Sequence, residues 1–162
     1  MIKKVIVIFI LIIFIKPVQA KEDIMILKLK NGDVLIELFH DVAPNHVKRF
    51  KQLSKEKKYD GVVFHRVIDG FMAQTGDVEY GNPNLDTYDI QRAGTGGSEY
   101  PDLKAEFSNT PHERGTLSMA RSSDPNSANS QFFICFKASP SLDRQYTAVS
   151  YTHLTLPTNR EV

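Results

Sequence analysis

One arginine, with amide and aromatic side chains at strand spacing, is where this chain of 162 residues could do chemistry. Residues 62–67 alternate as a strand does, and a period of two would put Phe64 and Arg66 on one face. Residues 131–136 read as another strand, with Gln131 and Phe133 on one face and Phe132, Ile134 and Phe136 on the other. Three large apolar side chains mark that second face as core, which frees the Gln131/Phe133 face to line a groove. Two readings stay open on this pattern alone. Arg66 either works in such a groove, or pairs with a carboxylate while the rings simply pack.

Other chemistries find less support. The histidines His40, His46, His65, His112 and His153 are scattered without the spacing of zinc ligands. Gly94-Thr95-Gly96-Gly97 has the composition of a phosphate loop, but no Lys-Ser/Thr follows and no strand and helix frame it. Residues 124–129 are rich in oxygen ligands yet lack the glycine and closing glutamate of a calcium loop. There is no Gly-x-Ser-x-Gly elbow. The single cysteine, Cys135, cannot form an internal disulfide, and its apolar neighbours mark it as a small buried hydrophobe.

The elements that must position these residues are short. Residues 24–30 and 33–39 are strand-like and flank Asn31-Gly32, a pair suited to a type I′ hairpin turn. Pro44 can open a helix on which Val47, Phe50 and Leu53 recur, with Lys48, Lys51 and Lys55 on a solvated face. A turn at Asp69-Gly70 leads into a returning strand from Phe71 to Gln74. Residues 76–102 are broken by glycine and proline, and residues 116–120 form a further strand before a polar loop at 121–130. One domain, mainly antiparallel sheet or barrel with one early helix, follows from this order.

The first twenty residues stand apart. Lys3 and Lys4, an apolar run at 5–15 and the small residue Ala20 have the form of a cleavable export signal. Such a run rises about 16 Å as a helix, short of the roughly 30 Å of a hydrocarbon core. The expected product is exported, periplasmic or secreted, with no stable membrane span. Cleavage after Ala20 removes three lysines and takes the formal charge from +1 to −2, 17 basic against 19 acidic residues. That balance offers no basic footprint for nucleic acid.

Phe64-His65-Arg66-Val67-Ile68-x-Gly70-Phe71-Met72-x-Gln74-x-Gly76-Asp77 resembles the central signature of cyclophilin-type peptidyl-prolyl isomerases. Gly94-Thr95-Gly96-Gly97, Ala105-Glu106-Phe107, Gly115-Thr116-Leu117-Ser118-Met119-Ala120 and Ser130-Gln131-Phe132-Phe133-Ile134 are similar to further blocks of that family, in the family's order. The resemblance implies a mainly β, cyclophilin-like antiparallel β-barrel with a flanking helix. It implies an enzyme that speeds rotation about X–Pro bonds during folding of exported proteins. Arg66 would be the catalytic arginine, with Phe71 and Gln74 beside it. Phe71, Met72, Phe133 and Leu142 would form the pocket for the proline ring, and Phe64 and Tyr146 would also bind the substrate. Gln74 and Gln131, with the backbone around Ala120 and Arg121, would hold the peptide by hydrogen bonds.

The reaction suits those residue types. Rotation about the conjugated amide faces a barrier of about 18–20 kcal/mol, but it breaks no bond and so calls for no metal, nucleophile or cofactor. The implied partners are proline-containing peptides and unfolded polypeptides, met by a monomer. A non-catalytic proline-peptide binding module or holdase on the same scaffold is the alternative.

Several positions depart from the family pattern. Ser141 stands where many members carry tryptophan, and Tyr146 where many carry histidine. Arg144 replaces the usual glycine of a Leu-Asp-Gly turn, which strains the chain if that position has positive φ. Phe71 and Met72 are adjacent, so both can line one pocket only if the turn before them departs from regular strand geometry. After residue 148 neither strand nor helix period is evident, and Pro157 interrupts the run. The family domain is therefore expected over 21–148, incomplete at its C-terminal end, with 149–162 a tail foreign to the family.

Overall fold

The computed structural model describes residues 24–153. The expected export signal lies outside them, as does the tail beyond His153. Strand β1 (Ile24–Leu29) pairs antiparallel with β2 (Gly32–Leu38), so the expected hairpin forms. Its turn differs from the type I′ expectation. Leu29 faces Gly32, the connecting residues Lys30 and Asn31 avoid positive φ, and Gly32 alone takes φ 136°. The glycine is needed one position later than in a type I′ turn.

Helix α1 (Pro44–Lys55) opens on Pro44, whose missing N–H costs nothing at the first helical position. Val47, Phe50 and Leu53 fall on one stripe and are buried, while Lys48 and Lys55 stay exposed. Phe50 and Tyr59 pack with Phe132, at 4.8 Å between the Phe50 and Phe132 rings and 5.5 Å between Tyr59 and Phe132. Burying a side chain of this size contributes about 1.5–3 kcal/mol. Ile36, Leu38, Leu117, Met119 and Val149 complete that core.

The remaining strands are β3 (Arg66–Ile68), β4 (Met72–Thr75), β5 (Thr116–Met119), β6 (Phe132–Cys135) and β7 (Ala148–His153), with a 3-10 turn at Pro140–Leu142. They form one antiparallel sheet in the order β1-β2-β7-β5-β6-β4-β3. The sheet is curled and open, with β1 and β3 at its two ends. Beside β1 lies an open cavity of about 690 Å³, walled also by Phe50, Tyr59 and Phe132.

Three expectations need correction. The strand read at 62–67 is displaced: regular pairing begins at Arg66 and runs to Ile68, and Phe64 precedes it. Phe136 lies past the end of β6 and is 38% exposed, so it leaves the core to Phe132 and Ile134. The chain after 148 is not irregular. Residues 148–153 form β7, which sits between β2 and β5 and pairs with both. Its pattern is hard to read because Ser150 and Thr152 are buried alongside Ala148 and Val149, and a register shift interrupts the alternation. Two flanking strands impose the extended conformation that these side chains do not signal.

A carboxylate from far along the chain completes α1. Ala43, at the cap position, has no side-chain oxygen to offer the first N–H groups. Glu106 supplies it, accepting from the backbone N–H of Asn45 and of His46, both at 3.1 Å, and from His46 Nδ1 at 2.7 Å. A negative group there also meets the positive end of the helix dipole. Burial is the largest influence at His46 and holds its imidazole below the ordinary value, outweighing the carboxylate, so the bond is donated by a neutral ring. Burial alone would raise Glu106, but the bonds from His46 and Asn45 together hold its carboxyl below the usual range.

A depressed carboxyl stabilises the fold above its unfolded pKa and loses that contribution as pH falls through the folded value. Glu106→Gln is expected to cost about 1–3 kcal/mol at neutral pH. The difference should shrink as pH falls below the ordinary carboxylate range. Urea unfolding of both proteins at neutral and acid pH checks this, and equal stabilities at neutral pH would remove Glu106 from its capping role.

Candidate active site

Cross-strand register assembles the site. Arg66 on β3 faces Gln74 on β4, Gln74 faces Phe133 on β6, and Phe133 faces Ser118 on β5. Directly opposed residues share a face of the sheet. Met72 and Cys135, two positions along from Gln74 and Phe133, lie on that face too. The opposite face carries Phe132, Ile134, Leu117 and Met119 against the helix core. Sequence parity had separated Phe132 from Phe133 correctly, and this separates core from groove.

The groove holds a pocket of about 190 Å³. Met72 and Phe133 are its buried floor, with Phe71, Ala120, Leu142 and Tyr146 packed around them. Arg66, Gln74 and Arg121 stand at its polar rim. Pockets for drug-sized ligands run to about 300–1,000 Å³, so this one suits a single ring or side chain.

Phe71 and Met72 both reach the pocket because Phe71 is still in the turn. Gly70 takes φ 63° and the Phe71 N–H closes on Ile68 O at 3.0 Å, so strand alternation begins only at Met72. The expected distortion is present. Phe64 is not part of the groove. It lines the larger cavity beside β1, because the segment before Arg66 is not a strand and carries no period of two.

A chain of hydrogen bonds holds Arg66. Its Nη1–H donates to Gln74 Oε1 at 3.3 Å, Gln74 Nε2–H donates to Gln131 Oε1 at 2.9 Å, and Gln131 Nε2–H donates to Gly96 O at 2.8 Å. Guanidinium can only donate and a carbonyl can only accept, so the two ends dictate the orientation of both amides. The acceptor for Arg66 is thus a neutral amide oxygen rather than a carboxylate. One of five guanidinium donors is used by that bond, and the exposed head keeps others for a ligand.

The chain is anchored by a residue to which the sequence assigned no role. Asp77 is fully buried, and its carboxylate accepts the backbone N–H groups of Glu79, Tyr80, Gly94 and Gly96 at 2.7–3.1 Å. The glycine-rich loop does wrap an anion, but the anion belongs to its own chain. A Cβ on Gly96 would come within 2.6 Å of Asp77 Oδ1, so the approach requires glycine there. Gly76-Asp77 and the later glycines were both visible in the sequence; their pairing across a long loop was not.

The other expected residues are distributed around this frame. The Arg121 guanidinium lies 4.5 Å from the Tyr146 ring centre and donates to Gln145 O at 3.0 Å, which ties it into the wall. The Ala120 N–H is taken by Gln131 O at 2.9 Å, so Ala120 can offer a peptide its carbonyl but not its amide. Gln131 borders an adjoining depression of about 280 Å³ lined by Gly94, Thr95 and Asn129. Arg144 does adopt φ 57°, a conformation that costs a non-glycine residue about 1–2 kcal/mol. Burial pushes the Cys135 thiol up to about 11, which leaves it inert at neutral pH.

Gln131→Leu removes both bonds of the central amide while keeping its bulk. Binding of an Ala-Pro peptide, measured by titration, is expected to weaken about tenfold. An unchanged affinity would show that the relay does not position the rim.

Residues 24–152 match the cyclophilin type peptidyl-prolyl cis-trans isomerase/CLD family. Over 128 residues the chain is 61% identical to a probable peptidyl-prolyl cis-trans isomerase of Brucella suis, covering 79% of this chain and 65% of that protein. It is 40% identical over 127 residues to a peptidyl-prolyl cis-trans isomerase of Synechococcus elongatus, covering 78% of each. Among solved structures, a cyclophilin from Hirschia baltica superposes with a TM-score of 0.64 at 27% identity, over 80% of this chain and 63% of that one. A Cryptosporidium parvum cyclophilin type isomerase, solved in the presence of the dipeptide Ala-Pro, gives 0.64 at 31% identity, over 76% and 74% of the two chains. This chain thus spans about two thirds of the length of the Brucella relative. Family match, sequence identity and overall fold agree: the chain belongs to the cyclophilin family of peptidyl-prolyl cis-trans isomerases.

Proposed function

We propose that the chain accelerates cis–trans rotation about X–Pro bonds, and that its substrates are exported proteins in the course of folding. One observation carries the catalytic reading: an exposed guanidinium, oriented by Gln74, at the rim of a small apolar pocket. The pocket of Met72, Phe133 and Leu142 would hold a proline ring. The Ala-Pro dipeptide present with the Cryptosporidium parvum relative supports proline peptides as ligands.

The chemistry follows from what conjugation does to the prolyl nitrogen. In the planar ground state its lone pair is delocalised and accepts hydrogen bonds poorly. As the C–N bond twists, the nitrogen becomes pyramidal and its lone pair localises. An N–H donated by Arg66 at that moment stabilises the twisted state more than the planar one. The apolar floor fixes the ring while the acyl side rotates, and its low polarity strengthens the arginine contact. No bond breaks and no proton changes hands.

Export is supported by residues 1–20, where Lys3 and Lys4 precede an apolar run and a small residue at Ala20. Recovery of the mature protein outside the cytoplasm with Lys21 as its first residue is the expected result of N-terminal sequencing; retention of Met1 would contradict it. For the reaction, exchange on a proline peptide is measured by NMR with the parent chain and with Arg66→Ala. The substitution should lower kcat/KM by about 10²–10³ while peptide still binds. Equal rates would sink the catalytic role and leave a binding module on the same scaffold.

A further inference from the structure

His112, Ser118 and Asp143 form a hydrogen-bonded row behind the pocket, outside the residues that face a ligand. His112 is 2% exposed and Ser118 is fully buried. His112 Nδ1–H donates to Asp143 Oδ1 at 2.9 Å, and Nε2 lies 3.0 Å from Ser118 Oγ. Acid, imidazole and hydroxyl stand in the order of a hydrolytic triad. Their surroundings exclude that use. Ser118 Oγ, whose single proton has both Thr147 O at 2.8 Å and Nε2 within reach, lies in the closed core, where no substrate carbonyl can approach it.

What the row does touch is the pocket. The His112 ring lies nearly parallel to Phe133, 6.4 Å between centres and 18° between planes. The His112 backbone N–H also donates to Asp143 Oδ1, at 2.8 Å, and its carbonyl accepts the Ser139 N–H at 2.7 Å. Three bonds therefore tie His112 to residues 139–143. That segment carries Leu142 in the pocket wall. Its carbonyl accepts the Tyr146 N–H at 3.1 Å, and the Tyr146 ring meets Phe133 edge-on at 5.6 Å. The turn also contains Arg144 at φ 57°, a conformation that persists only where neighbouring contacts enforce it.

We propose that the His112–Asp143 pair is a positioning device for the proline pocket: it clamps the 139–146 turn so that Leu142 and Tyr146 face Phe133, and it backs the Phe133 ring. The proposal rests on reading the groove as a proline-peptide site. Neither residue touches the peptide, and neither acts on the rotating bond. A loosened wall would hold the ring less tightly in the planar and the twisted state alike, while Arg66 keeps its hydrogen bond. The signature is a raised KM with kcat nearly unchanged.

The test uses the full chain and NMR exchange on an Ala-Pro peptide. Asp143→Ala is expected to raise KM about tenfold with kcat within about twofold of the parent. Asp143→Asn retains an oxygen acceptor for both N–H donors and should restore KM to within about twofold of the parent. His112→Asn, which keeps a donor but removes the ring behind Phe133, serves if Asp143→Ala does not fold; a KM several-fold above the parent is expected. An unchanged KM in a disruptive variant that folds overturns the proposal, as does a fall in kcat with KM unchanged in such a variant. If the parent chain shows no exchange activity, the isomerase reading fails separately. Titration with the same peptide then decides the clamp: about tenfold weaker binding by Asp143→Ala supports it, and equal affinity refutes it.

Discussion

Adjacent residues of a β-strand cannot share a face, and this constraint at Phe132-Phe133 divides the molecule. Phe132 enters the core against Phe50 and Tyr59, while Phe133 becomes the floor of the pocket. Once β6 is so oriented, antiparallel register transmits the choice across four strands. Gln74 and then Arg66 follow Phe133 on one side, and Ser118 on the other. A slip of one residue would turn Phe133 into the core and bring Phe132 to the groove. The packing of the helix core is therefore also what holds the groove face outward.

Two carboxylates do the organising that strands and helices cannot. Between β4 and β5 the chain has no regular element, and its N–H groups need acceptors. Asp77 takes four of them and is itself compensated for burial by doing so. Glu106 takes the first N–H groups of α1, where the local sequence has only Ala43 to offer. Both act on backbone, and both join segments distant in sequence. Through Gly96 and the two glutamines, the first also reaches Arg66.

Periodicity made much of this legible. The stripe of α1, the hairpin at Asn31-Gly32, the turn at Asp69-Gly70 and the two faces of β6 could each be read from side-chain spacing. It failed where burial does not follow hydrophobicity. Strand β7 hides Ser150 and Thr152 between two neighbours, and residues 62–65 look alternating yet pair with no strand. Spacing therefore puts Phe64 on the face of Arg66, whereas the fold turns it into the cavity beside β1. Resemblance to a family, rather than spacing, brought Leu142 and Tyr146 to the pocket from a turn with no period of its own.

By itself the sequence determined which side chains a groove could present: a cation, two amides and a set of apolar groups, with no nucleophile or metal cluster suggested by spacing. It also determined the parity of each strand, because alternation is a property of the local backbone. Tertiary structure alone decided which strands lie side by side, and so that Arg66, Gln74 and Phe133 share one row. It also decided that a glycine loop would close on Asp77 and that His112 would stand behind Phe133. These are contacts between distant segments. Their energies depend on burial and on exact pairing geometry, neither of which exists until the sheet has formed.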